Sequence, residues 1–158
     1  MLRVLFVCLG NICRSPTAEG IFSHKVAAAG LAGRIESDSA GTSAWHAGEA
    51  PDGRAQEEAE RRGIDIGRQR SRAVVSSDFE AFDLILAMDS ENLRELKSRC
   101  PQDLQGKLHR LLDYAPQGEH RDVPDPYYGG PQGFARVFDM IDDACDGLLA
   151  AVRRDHLG

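Results

Sequence analysis

Apolar positions fall in blocks along this chain, and the blocks change period. Leu2–Cys8 is a nearly continuous apolar run, the pattern of a strand buried on both faces. Ser15-Pro16-Thr17-Ala18-Glu19 predicts a helix start, with a hydroxyl cap, a proline in the first turn and an acid near the positive end. Gly30 stops that helix after Ala29. Residues 34–39 predict a short second strand, and residues 40–53 a glycine-rich loop. Residues 55–62 predict a helix closed by Gly63. Residues 84–88 predict a third strand, followed by an Asp/Ser-capped helix around residues 91–99. Residues 108–112 predict a weaker fourth strand. Beyond a long polar loop, Phe134, Val137, Phe138, Ile141, Cys145, Leu148, Leu149 and Val152 recur at helical spacing and mark one apolar face. Strands alternating with helices predict an α/β fold with a parallel sheet covered on both faces. No repeat, low-complexity tract or linker divides the chain, so residues 1–158 are expected to form a single domain.

Charge and cysteine content narrow the function classes. A formal net charge of −6 argues against a general nucleic-acid binder, while leaving room for local positive potential in one cleft. The apolar run is too short to span a membrane and Met1-Leu2-Arg3 builds no signal peptide. No membrane insertion is expected, and a cytoplasmic location, with secretion lacking a signal peptide left open. Four irregularly spaced cysteines predict reduced thiols rather than a disulfide framework. The five histidines show no clustered ligand spacing, so neither a metal nor a cofactor is expected.

In folds of this kind, ligands bind beyond the carboxyl ends of the strands, where helix N-termini offer unpaired N–H groups. The first such turn reads Cys8-Leu9-Gly10-Asn11-Ile12-Cys13-Arg14-Ser15. A core cysteine needs no arginine six residues on, and a surface arginine needs no cysteine. Gly10 and Asn11 tolerate left-handed backbone angles, so the loop can aim successive N–H groups at one point. Arg14 adds a planar fork suited to two phosphate oxygens. The same field favours a thiolate at Cys8, which can attack phosphorus. Cys13 reads equally as a packing residue or as a redox partner of Cys8.

Attack on a phosphate ester needs a proton for the departing oxygen. Asp125, between Pro124 and Pro126, is the candidate donor, and Tyr127 and Tyr128 could wall a slot for an aromatic substrate. Taken alone, the same stretch reads as readily as an exposed turn.

Four stretches together resemble a low-molecular-weight protein tyrosine phosphatase: VCLGNICRSP, the Asp38-to-Ala55 segment with its DSAGT and Trp45-His46, FDLILAMDSENLREL, and DPYYGG. The resemblance implies a three-layer α/β/α fold with a four-stranded parallel sheet and a phosphate-binding loop after the first strand. It implies hydrolysis of phosphotyrosine in a protein or peptide through a phosphocysteine, with inorganic phosphate as product. Carried over, Cys8 is the nucleophile, Arg14 the phosphate clamp, and Asp125 the acid and then the base. Ser15 would stabilise the thiolate, and Asn11 with Ser39 would hold the loop in shape. Trp45, Tyr127 and Tyr128 would surround the mouth; the other reading of Trp45 is a hydrophobic plug under its own loop. The chain departs from the family at Gln69, where a histidine is expected that, with an acid corresponding to Asp89, supports the loop.

Three alternatives stand beside this reading. Arsenate reductases share the loop but relay electrons through further cysteines, and none lies between Cys13 and Cys100. Protein arginine phosphatases resemble the loop but carry threonine where Ile12 stands. A phosphocysteine carrier or phosphate-sensing module would have to keep its phosphate, against the hydrolytic pair Arg14 and Asp125.

Overall fold

The computed structural model describes residues 1–116, 122–126 and 130–157. Among them, four strands form one all-parallel sheet: β1 (Leu2–Cys8), β2 (Ile35–Gly41), β3 (Leu84–Ala87) and β4 (Leu108–Arg110), in the spatial order β2-β1-β3-β4. β1 is central, and Val4 through Val7 are fully buried. Side chains alternate across a strand, so Val4, Phe6 and Cys8 enter one hydrophobic cluster while Leu5 and Val7 enter another. The first cluster packs under α1 (Arg14–Ala28), α2 (Gly53–Arg61) and the long α5 (Gly130–Asp155). The second packs under α3 (Asp78–Ala81) and α4 (Ser90–Arg99) through Phe79 and Leu96. This is the expected three-layer α/β/α arrangement, and it hands Cys8 to the α1 side at the carboxyl edge of the sheet.

Gly30 and Gly63, at φ 74° and 80°, end α1 and α2 as the sequence predicts. Several expectations need correction. β2 runs on to Gly41 because Thr42 and Ser43 donate their N–H groups to the carbonyls of Cys8 and Leu9, extending the pairing past the strand end. A side chain at position 41 would meet Leu9 O at 2.7 Å, so the close approach of the two backbones requires glycine there. The fourth strand stops at Arg110, and a 3₁₀ turn over Leu111–Tyr114 carries Leu111 and Leu112 into the core. The one-turn α3 and the polar 3₁₀ segment Gln102–Lys107 have no periodic signature. Ser15 is not a cap: the N-cap position of α1 is Cys13, without a side-chain cap, and its first turn holds no acid.

Candidate active site

β1 ends at Cys8, and the chain curls through residues 9–13 into α1. Asn11 is the only non-glycine with positive φ among the described residues, at 57°. Such a conformation costs on the order of 1–3 kcal/mol and persists only where surroundings enforce it. Here every hydrogen-bonding atom of the Asn11 side chain is engaged. Nδ2 donates to Ser15 Oγ at 2.8 Å and to Ser39 Oγ at 3.0 Å, and Oδ1 accepts from the Arg72 N–H at 3.0 Å. Ser71 Oγ donates to Gly10 O at 2.9 Å, and the Asp52 N–H donates to Ile12 O at 2.7 Å. The carbonyls of the loop are thus turned outward. Among the described residues, the N–H groups of Leu9, Gly10, Ile12, Cys13 and Arg14 have no acceptor, the arrangement of an anion-binding nest.

Cys8 Sγ lies 3.0 Å from Ser15 Oγ and accepts from the Asn11 N–H at 3.3 Å. Asn11 already donates to Ser15 Oγ, so the serine's own proton is left for sulfur, its other acceptor being Ala40 O at 3.5 Å. Two donors converging on one sulfur stabilise negative charge there. Ser15, read from sequence as a cap, is instead fully buried beside Cys8.

Arg14 is buried to 4% exposure. Its Nη1 donates to Asp89 Oδ2 at 2.7 Å and to Val123 O at 2.9 Å. Both contacts with described residues use Nη1, so Nε and Nη2 remain as a fork. Burial opposes the charge of Arg14, but Cys8 and Asp89 outweigh it and move its pKa up. Asp89 caps α4 by accepting from the Asn92 N–H at 2.7 Å. It therefore orients Arg14, and this is how Asp89 supports the loop.

The acid beside position 69 is Glu19, which sequence reasoning assigned to the helix dipole. Ser39 Oγ donates to Glu19 Oε1 at 2.8 Å and lies 3.4 Å from Gln69 Oε1; Gln69 Nε2 donates to Pro16 O at 3.0 Å. Gln69 thus fills the expected histidine's place with uncharged bonds. Burial pushes the Glu19 carboxyl up from 4.5 to about 7, and nearby Asp38 adds to the rise. Ser39's hydrogen bond and Arg72 pull the other way.

A pocket of about 590 Å³ opens over the loop, lined by Cys8, Leu9, Gly10, Ile12, Cys13, Arg14, Ser43, Trp45, His46 and Asp125. Asp125 is exposed on its rim and its charge is felt at both Arg14 and Cys13. Trp45 stands 86% exposed and stacks on His46, so the hydrophobic-plug reading fails. Leu9 is exposed, Ile12 half-buried and Cys13 buried. Burial, then Asp52 and Cys8, push the Cys13 thiol up to about 12. All four cysteines are free. Tyr127 and Tyr128 lie outside the described residues.

The sequence matches the low molecular weight phosphotyrosine protein phosphatase family model over residues 3–157. It is 44% identical to the low molecular weight protein-tyrosine-phosphatase YfkJ of Bacillus subtilis, over 98% of each chain. The solved YfkJ structure superposes with a TM-score of 0.94, covering 99% of this chain and 97% of that one. A protein tyrosine phosphatase structure from Entamoeba histolytica gives 0.95 at 42% identity, covering 98% of both chains. A drosophila arginine phosphatase, 34% identical, gives 0.90 over 98% of this chain and 99% of its own.

Proposed function

The chain belongs to the low molecular weight phosphotyrosine protein phosphatase family, and we propose that Cys8, Arg14 and Asp125 carry the chemistry it performs on tyrosine-phosphorylated proteins. The thiolate of Cys8 attacks phosphorus in line. The S–P bond forms as the P–O bond to the tyrosyl oxygen breaks, and the proton of the Asp125 carboxyl passes to that oxygen. Arg14 holds two phosphate oxygens through Nε and Nη2, and the loop N–H groups hold the third as its charge redistributes. In the second step the Asp125 carboxylate takes a proton from water. The water oxygen attacks phosphorus, the S–P bond breaks, and inorganic phosphate leaves. The Ser15 hydroxyl and the Asn11 N–H receive the released thiolate, which makes sulfur a good leaving group.

The observation that carries this assignment is the convergence of two donors on Cys8 Sγ inside a pocket shared with Arg14 and Asp125. Trp45, Leu9 and Ile12 supply apolar walls for a phenyl ring. The likeness to an arginine phosphatase means that fold alone does not choose the substrate; the branched apolar Ile12 in this pocket favours the aryl ester. Among the described residues no helix is long and apolar enough to cross a membrane. A cytoplasmic, single-domain enzyme acting without metal or cofactor completes the proposal. Cys8→Ser should abolish turnover of a phosphotyrosine peptide while phosphate binding, read by titration calorimetry, persists. More than about a thousandth of wild-type activity in that variant overturns the assignment, since loss of a nucleophile removes orders of magnitude. Phosphoserine and phosphoarginine peptides assayed beside phosphotyrosine decide the substrate.

A further inference from the structure

The segment carrying Asp125 is anchored on both sides of a short arch. Asp122 Oδ1 accepts two hydrogen bonds from Ser90, one from the backbone N–H at 3.0 Å and one from Oγ at 2.8 Å. Ser90 Oγ in turn accepts from Arg110 Nη1 at 3.0 Å. The guanidinium of Arg110 lies 3.9 Å from Asp122 and 3.5 Å from Asp113. The fully buried Val123 donates its N–H to Met88 O at 2.8 Å and accepts from Arg14 Nη1 at 2.9 Å. Pro126 is buried against α5, where a side chain at position 133 would lie 3.7 Å from Pro126 O. Between these anchors Asp125 overhangs the pocket. Asp122 does not line that pocket.

Flanking prolines stiffen the arch but do not anchor it; a stiff arch swings as a unit about its ends. The first two residues of the α4 start divide the work. Asp89 holds the clamp arginine and Ser90 holds Asp122. One helix start thus sets the spacing between the phosphate grip and the proton donor.

We propose that Asp122, through Ser90 and Arg110, is a positioning residue that sets Asp125 at the leaving-group oxygen; this rests on the reading of Asp125 as general acid. Proton transfer needs a heavy-atom separation of about 2.6–3.2 Å, and a misplacement of about 1 Å can cost about a hundredfold. The two short bonds to Ser90 do the positioning, and the ion pair to Arg110 is long. An amide oxygen at position 122 can accept the same two bonds.

The test compares kcat/KM for phenyl phosphate, whose phenol has a pKa of about 10, with that for p-nitrophenyl phosphate, whose far more acidic phenol leaves nearly unaided. Asp122→Ala should slow phenyl phosphate by about tenfold or more and p-nitrophenyl phosphate by less than about threefold. Asp122→Asn, keeping the acceptor, should recover phenyl phosphate to within about threefold of wild type. Ser90→Ala removes one of the two donors without touching the segment, and should give a smaller loss with the same selectivity. It serves also if Asp122→Ala fails to fold. Equal losses on both esters in Ser90→Ala and Asp122→Ala overturn the proposal, as does no loss in either, or an Asp122→Asn as slow as Asp122→Ala. Asp125→Asn measured alongside separates the two ideas. A selective loss there with none at position 122 sinks the clasp and leaves the acid. No selectivity at Asp125 sinks both.

Discussion

Replacing Glu19 by glutamine should flatten the dependence of stability on pH. Glu19, on α1, reaches β2, accepting from Ser39 and flanked by Asp38 and Arg72. Its carboxyl moves from 4.5 to about 7, chiefly because burial penalises the charged form. The folded state therefore holds its proton more tightly than the unfolded chain. Between pH 4.5 and about 7 the native state binds more protons, so stability falls as pH rises through that window. Below it the contribution is fully present; above it the loss is complete. Each pKa unit corresponds to about 1.4 kcal/mol, so a rise of about 2.5 units amounts to about 3 kcal/mol. Glutamine cannot titrate, and its side-chain oxygen can still accept from Ser39. Urea unfolding of both proteins at pH 5, 6, 7 and 8 checks this. Between pH 5 and 8 the wild type should lose about 2–3 kcal/mol relative to Glu19→Gln. Parallel stability curves would refute the reasoning and mean that Arg72 and Ser39 offset the burial in full.

Two further predictions concern the loop. Peroxide should oxidise Cys8 to a sulfenic acid, which the Cys13 thiol attacks to give a disulfide and water; mass spectrometry should show a loss of two hydrogens that dithiothreitol reverses. If Cys13→Ser recovers from peroxide as well as wild type does, the two sulfurs are not partners. Gly41→Ala would push a side chain to 2.7 Å from Leu9 O, and should lower stability by about 1–3 kcal/mol together with kcat/KM. An unchanged melting temperature and rate would show that the loop gives way freely.

The parts legible in the sequence are those encoded locally. The apolar run of β1, Gly30 and Gly63 at helix ends, and Cys8 with Arg14 at a strand-to-helix turn each carry their signal within a few residues. Position-by-position likeness to a family then supplied Ser15, Ser39 and Asn11 in their observed association. What was misread depends on partners far along the chain. Glu19 looked like a helix-start acid because nothing nearby announces that β2 will bring Ser39 within 2.8 Å. Ser15 has the composition of a cap, yet the curl of the loop turns its hydroxyl to Cys8 and Asn11 instead. Asp89 is expected to support the loop, and it does so through Arg14, which the strand order brings within 2.7 Å. The fourth strand is shorter than its apolar run because Leu111 and Leu112 are as apolar in a turn as they would be in a strand.

The side chain of Asn11 is held by residues 4, 28 and 61 positions further on, and Arg14 by residues 75 and 109 further on. The contacts among these that span 28 residues or more carry a loop-closure cost, because a long intervening chain must be ordered before any gain from them. A chain made only as far as α1 carries Cys8 but none of Ser39, Arg72, Asp89 or Val123. The cysteine is in place before the residues that shape its loop. Phosphate-cleaving competence is thereby a property of the completed topology rather than of the loop sequence.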